Sequence, residues 1–223
     1  MDNYKLVNDE LNLVIIGSFN PAIFHPEWFS KHGIISEAEA EAASLEVCHP
    51  DVAKFSTSWF ALEVTQTRFL IASNSTSRSE EIRDIVVNVF MILSESPITA
   101  LGINSNFEYR CKDVDSWHKV GHLLTPKINW LPPFPKLTEK DVGMRVVEVQ
   151  YPRADELPGF IRVSVAPTKP EPSPELVFKV NSHIDFKELV EIPVSQLIGD
   201  VWEDTMDVSK TIVNSVLGGI DAN

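Results

Sequence analysis

Two histidines four residues apart, His118 and His122, with Asp113 and Asp115 just upstream, come nearest in type and spacing to a metal site. Positions i and i+4 share a helix face, so both imidazoles could reach one ion. Two ligands do not complete a site. A catalytic zinc needs a third protein ligand and usually a general base, and the intervening Lys119 and Val120 supply neither. The expectation is therefore that Asp113 or Asp115 caps a short helix carrying Trp117, Val120 and Leu124, with His118 at the surface and His122 beginning the next turn. His25, His32, His49 and His183 lie beside Pro or Gly or at strand ends, where an imidazole often closes a backbone hydrogen bond. Cys48 and Cys111 fall in expected strands with apolar or aromatic neighbours and read as buried, inert thiols. The chain contains no G-x-x-x-x-G-K-[ST], G-x-G-x-x-G, G-x-S-x-G, H-E-x-x-H or C-x-x-C, so neither a catalytic residue nor a cofactor or metal is assigned.

Interaction chemistry is better represented. A helix expected from about Val194 to Leu217, stopped by Gly218 and Gly219, carries Asp200, Glu203, Asp204 and Asp207 three to four apart as one acidic stripe. Its ordinary core face is Val194, Leu197, Ile198, Val201, Thr205, Val208, Ile212 and Val216. Trp202, Met206, Val213 and Leu217 widen the apolar arc to roughly 200°, against the 100° or so that a helix lying on a sheet must bury. Either a neighbouring loop of the same chain or another subunit must cover that flank. A second candidate contact is Trp130-Leu-Pro-Pro-Phe-Pro135, where prolines hold Trp130 and Phe134 extended and pre-ordered.

The elements that position these residues follow from periodicity. Leu11 to Gly17 reads as a buried strand, Ser36 and Glu39 as a capping box opening a Glu/Ala-rich helix, and Trp59 to Ala72 as a hairpin turning at Thr65-Gln66-Thr67. Ser77 and Glu80 repeat the capping-box spacing before an amphipathic helix over Ile82, Ile85, Val86, Val89, Phe90 and Leu93. From Ile98 the period becomes two, giving a long half-buried strand. Strands follow at about Met144 to Tyr151, Phe160 to Val165 and Leu176 to Val180, the last after an exposed Pro-rich loop at Pro167 to Pro174. The expected fold is α+β: antiparallel sheet with helices on one face, and a possible pseudo-duplication of a strand-helix-strands-helix unit. The halves would be residues 1–97 and 98–223, separate or within one continuous domain.

Composition narrows the partners. The chain has 223 residues, 43% hydrophobic, with 32 acids against 19 bases, enough apolar content for a real core. Residues 1–112 hold 15 acids and 8 bases and the rest 17 and 11, so the acidity is evenly spread. No run of bases offers a phosphate-backbone contact, which argues against direct nucleic-acid binding, and a negative field favours basic protein partners. The N-terminus has no signal-peptide pattern, and the longest apolar runs fall short of the ~20 residues of a membrane span, so a cytoplasmic place without membrane contact is expected.

The stretch F-x-L-x-V-T-x-x-R-F at Phe60 to Phe69, a long helix, and P-I-T-A-L-G-I-N at Pro97 to Asn104 together resemble a scattered family of uncharacterised bacterial proteins. In that family the second strand reads L-G-L-R-Y-x-N; here Ile103 and Asn104 stand where Leu and Arg would be. The resemblance covers about a quarter of the chain and transfers no site residue. It implies a bacterial setting, and such families often lie near mobile or conflict-related genes. The leading expectation is a non-enzymatic cytoplasmic interaction or assembly subunit, working through a protein partner or as a homo-oligomer, in a conflict or defence system. Its rivals are an enzyme whose site forms only in the fold, metal-dependent through His118, His122 and Asp115, and an acidic antidote or nucleic-acid mimic blocking a basic target.

Overall fold

In the computed structural model, described for residues 3–168, 174–189 and 192–221, two 14-residue strands run antiparallel down the centre: β1 (Tyr4–Gly17) and β6 (Ile98–Cys111). Outward from β1 lie β5 (Arg68–Ser73), β4 (Phe60–Thr65), β3 (Val52–Ser56) and β2 (Ser44–His49). Outward from β6 lie β9 (Glu175–Asp185), β8 (Gly159–Pro167) and β7 (Val147–Pro152). Among the described residues these nine strands form one sheet in which every pairing is antiparallel. The fold is α+β, as the element pattern requires. Residues 169–173, the centre of the Pro-rich loop, lie outside the described residues.

The period of two decides which face is covered. Leu11, Leu13 and Ile15 of β1, Leu101 and Ile103 of β6, and Phe178, Val180 and Ile184 of β9 point to one side and are buried. Asn12, Asn104 and Asn181 point to the other, where Asn104 Nδ2 donates to Asn12 Oδ1 at 2.9 Å. Among the described residues five α-helices supply the cover: α1 (Pro26–Lys31), α2 (Glu37–Ala42), α3 (Ser79–Ile92), α4 (Val114–Leu124) and α5 (Val194–Asp221). One core cluster joins β1 and the β3–β5 strands to Phe29 of α1, to Ile82, Val86 and Phe90 of α3, and to the first half of α5. A second joins the lower parts of β6, β8 and β9 to Val120 of α4 and to Val213 and Leu217 of α5.

The element order repeats. A long central strand, a helical connection, a meander beside that strand and a helix over the core occur as β1, α1–α2, β2–β5, α3 and again as β6, α4, β7–β9, α5. The sheet passes through the 97/98 boundary without a break because β1 pairs with β6 along its length.

Local chemistry explains most boundaries. The Ser36–Glu39 capping box forms in both directions, Glu39 N donating to Ser36 Oγ at 3.2 Å and Ser36 N to Glu39 Oε2 at 3.1 Å. Ser77 does not cap α3. Ser75 instead closes a 3-10 turn over Thr76–Arg78, and Asp9 of β1 accepts from Thr76 N at 3.1 Å, so α3 begins at Ser79. The glycines expected to end α5 do not: the helix runs through Gly218 and Gly219, and among the described glycines only Gly33 and Gly159 take the positive φ that a glycine stop uses. At Gly159 the left-handed φ of 142° is required by space as well, since a Cβ there would stand 2.1 Å from the carbonyl oxygen of His183.

Glu39 also accepts the indole N–H of Trp59 at 3.1 Å, and Arg78 lies over that indole at 4.6 Å, tying α2 to the start of β4. The Trp59 bond, followed by those from Ser36, holds the Glu39 carboxyl below its ordinary 4.5. A depressed carboxylate contributes stability above its unfolded pKa and loses it as the pH falls through the folded value. Urea unfolding should therefore place Glu39→Gln below wild type at pH 7, with the two midpoints converging well below pH 4.5; a gap independent of pH would refute this role.

Candidate functional site

The helix α5 has apolar residues around most of its circumference, and the fold divides them between two covers. Trp202 and Met206 are buried in the first core cluster beside α3, and Val213 and Leu217 in the second with Val120 of α4. These four, expected at a partner interface, are instead interior to the chain. The physical reason is that α5 is wedged between helix and sheet, so both flanks of its wide arc are covered by the same molecule. The arc is thereby rotated. Val208, assigned to the core face, is exposed, and Ile212 is half-buried beside it. Asp200, Glu203, Asp204 and Asp207 form the exposed acidic stripe.

Val208 and Ile212 form one wall of a cavity of about 400 Å³ whose floor is Ile161 of β8 and Ser182 of β9. The second wall is the turn after β7. There the Arg153 side chain, only 4% exposed, lies over the inner face of the sheet and donates from Nη1 to Ser182 Oγ at 2.6 Å. Its Nε donates to Asp155 Oδ1 at 2.9 Å, and Nη2 donates to the other carboxylate oxygen. Asp155 accepts as well from Leu157 N at 3.2 Å, which closes the turn. Burial alone would push the Asp155 carboxyl up, but the hydrogen bonds and charge of Arg153 outweigh it and hold the carboxyl below its ordinary value. A neutralised Arg–Asp pair in one wall, apolar Val208 and Ile212 in the other, and Asp204 and Asp207 among the lining residues suit an apolar or aromatic group with basic neighbours. Nothing local in the sequence marks this cavity, because Arg153, Ser182 and Val208 lie on three elements that only the fold brings together.

The Pro-rich candidate, expected extended, instead folds as tight turns, with Phe134 N donating to the Leu131 carbonyl at 2.8 Å and Leu137 N to the Phe134 carbonyl at 2.9 Å. Trp130 ends a short 3-10 turn, Lys127–Trp130, and is 62% exposed; Phe134 is 57% exposed. Ile128 and Leu137 of the same connection are also exposed.

His118 and His122 do share a face of α4, their rings 6.5 Å apart, and His122 Nδ1 is 3.6 Å from Glu139. No group of three or more His, Cys, Asp or Glu among the described residues is placed to hold a metal. Asp113 caps α4, accepting from Ser116 N at 2.7 Å. His25 and His49 accept backbone N–H groups of Trp28 and Asp51. Cys111 is buried, and that burial, with the Asp113 charge, pushes its thiol up to about 11. Cys48 departs from expectation: it lies exposed on β2, an edge strand with few buried residues.

Comparison with known proteins adds no identity. No family model and no curated protein matches the chain. A solved structure described as "Structure of crystal form III of TP0453" is similar at 12% identity over 84% of this chain and 76% of that one, with a TM-score of 0.22, a superposition too loose to show a shared fold. Among the described residues no helix is long and apolar enough to cross a membrane.

Two measurements check these placements. A thiol reagent should titrate Cys48 in the folded protein and Cys111 only after denaturation, because the thiolate is the reactive form and burial disfavours it at Cys111; two equally fast thiols would contradict the packing. By chemical denaturation, Trp202→Ala should lose about 3–5 kcal/mol as a large-to-small core change, whereas Trp130→Ala should stay within about 0.5 kcal/mol.

Proposed function

We propose that this protein is a non-enzymatic interaction or assembly subunit whose contact surfaces are the connection between α4 and β7 and the acidic flank of α5. One observation carries the reading: Trp130 and Phe134 stand more than half exposed on a segment ordered by successive tight turns, Phe134 N donating to the Leu131 carbonyl at 2.8 Å and Leu137 N to the Phe134 carbonyl at 2.9 Å. Exposed large aromatics on a pre-ordered backbone are costly to leave in water and inexpensive to immobilise, the combination found in binding hot spots. The acidic stripe contributes steering, since a one-signed field speeds encounter with a basic partner and repels anionic ones.

The α5 flank enters this reading in altered form. Trp202, Met206, Val213 and Leu217 belong to the core, so the helix offers Val208, Ile212, Asp204 and Asp207. The bacterial conflict or defence setting implied by the resemblance at Phe60 to Phe69 is proposed together with this role.

The test compares wild type with Trp130→Ala/Phe134→Ala in light scattering and in capture from a lysate of the protein's own host. Self-association or a captured protein should be lost in the double variant while the urea midpoint is retained. A wild type that neither self-associates nor captures anything sensitive to the double variant would overturn the proposal.

A further inference from the structure

The two halves of the fold treat their meanders differently. In the first half, the connection from long strand to meander folds as α1 and α2 and covers the strands beside β1. Its Phe29 sits edge-on to Phe55 of β3 at 5.2 Å, and Phe55 is fully buried. By element order β7 is the counterpart of β3, each being the third strand out from its central one. On β7, Val149 pairs with the buried Val163 and so points to the helix side, as does Tyr151 two residues on. Yet Val149 is 45% and Tyr151 41% exposed. The connection that could cover them, between α4 and β7, holds Trp130 and Phe134 out into solvent.

One half-molecule therefore has an uncovered strand face, continued inward by the cavity between α5 and β8, and a cover-type connection that covers neither. Charge links the two. Residues 126–146 hold four bases (Lys127, Lys136, Lys140, Arg145) against two acids (Glu139, Asp141); Lys127 is buried, but even without it the stretch is net positive in a chain of net charge −13, and Lys136 and Arg145 stand exposed. The cavity they face in this scheme is lined by Asp204 and Asp207 and is flanked by Asp200 and Glu203.

We infer that a second copy of this chain occupies the groove: the Trp130–Phe134 connection of each protomer seats on the Val208/Ile212 cavity and the open inner face of β7 of the other. Both complementary surfaces belong to one chain, so a two-fold arrangement satisfies each with the other and closes as a dimer. The inference rests on the interaction reading above and deepens it by naming the partner.

Sedimentation equilibrium at several ionic strengths tests it. Wild type should approach twice the 25.0 kDa chain mass, weakening as salt screens the contact. Trp130→Ala/Phe134→Ala should raise the dimer dissociation constant about tenfold or more with an unchanged urea midpoint. Reversing the charges gives a sharper result. Asp204→Lys/Asp207→Lys and Lys136→Glu/Arg145→Glu should each be monomeric alone yet dimerise when mixed, because in the mixed pair both contacts join opposite charges. A wild type monomeric at all concentrations overturns the inference, as does a dimer indifferent to these substitutions. The interaction reading itself fails only if capture by the monomer is also insensitive to the Trp130/Phe134 variant.

Discussion

The pairing of β1 with β6 is the constraint on which the rest of the molecule depends. Antiparallel register across 14-residue strands fixes which residues face the helices, since a slip of one position would turn Leu11, Leu13 and Ile15 outward and Asn12 inward. The Asn104–Asn12 bond at 2.9 Å lies on the open face of this seam, where an amide pair can remain partly hydrated. Each long strand then templates its own meander on its free edge, β5 beside β1 and β9 beside β6, and the helix that follows each meander returns over the seam. The contact between α3 and α5 is a consequence: two helices arriving from opposite edges meet above the central pair.

That arrangement explains why α5 needs so wide an apolar arc. A helix lying alone on a sheet buries one stripe, but α5 touches the sheet below, α3 beside its first half and α4 beside its second. Trp202 is accordingly among the largest fully buried side chains of the protein, and its indole nitrogen, like Ser105 Oγ, has no hydrogen-bond partner among the described residues. Leaving such a donor unpaired is costly, and the area that an indole removes from water outweighs it.

Legibility in the sequence followed the range of the interaction. The Ser36–Glu39 box, the hairpin between Phe60 and Ser73, the Asp113 cap and the alternation from Ile98 are settled within a few residues, and they form as written. The bounds of β2, around Cys48, and the whole of β3 were not legible, because Ser44–His49 lies on an edge with few buried residues and Val52–Ser56 is too short to show its period beside it. The flank of α5 was misassigned for another reason. Periodicity shows that an arc is apolar and how wide it is, but which neighbour covers it is a long-range fact that one strip of sequence does not carry. The cavity was illegible for the same reason, since Arg153, Ser182 and Val208 converge from three elements.

The same distinction sharpens what exposure means here. Singly exposed apolar residues such as Leu45 on β2 are ordinary, since a protein has too little polar surface to cover itself. Trp130 and Phe134 differ in being gathered with Ile128 and Leu137 on one connection that prolines keep from collapsing onto the core. In the first half, Trp28 and Phe29 follow Pro26, yet that proline opens a helix and the aromatics turn inward to Phe24 and Phe55. Proline at the first position of a helix is compatible with its fixed φ, whereas prolines at 132, 133 and 135 exclude a helix altogether. Equivalent positions in the element order thus carry the same residue chemistry in opposite senses, as cover in one half and as an outward-facing surface in the other.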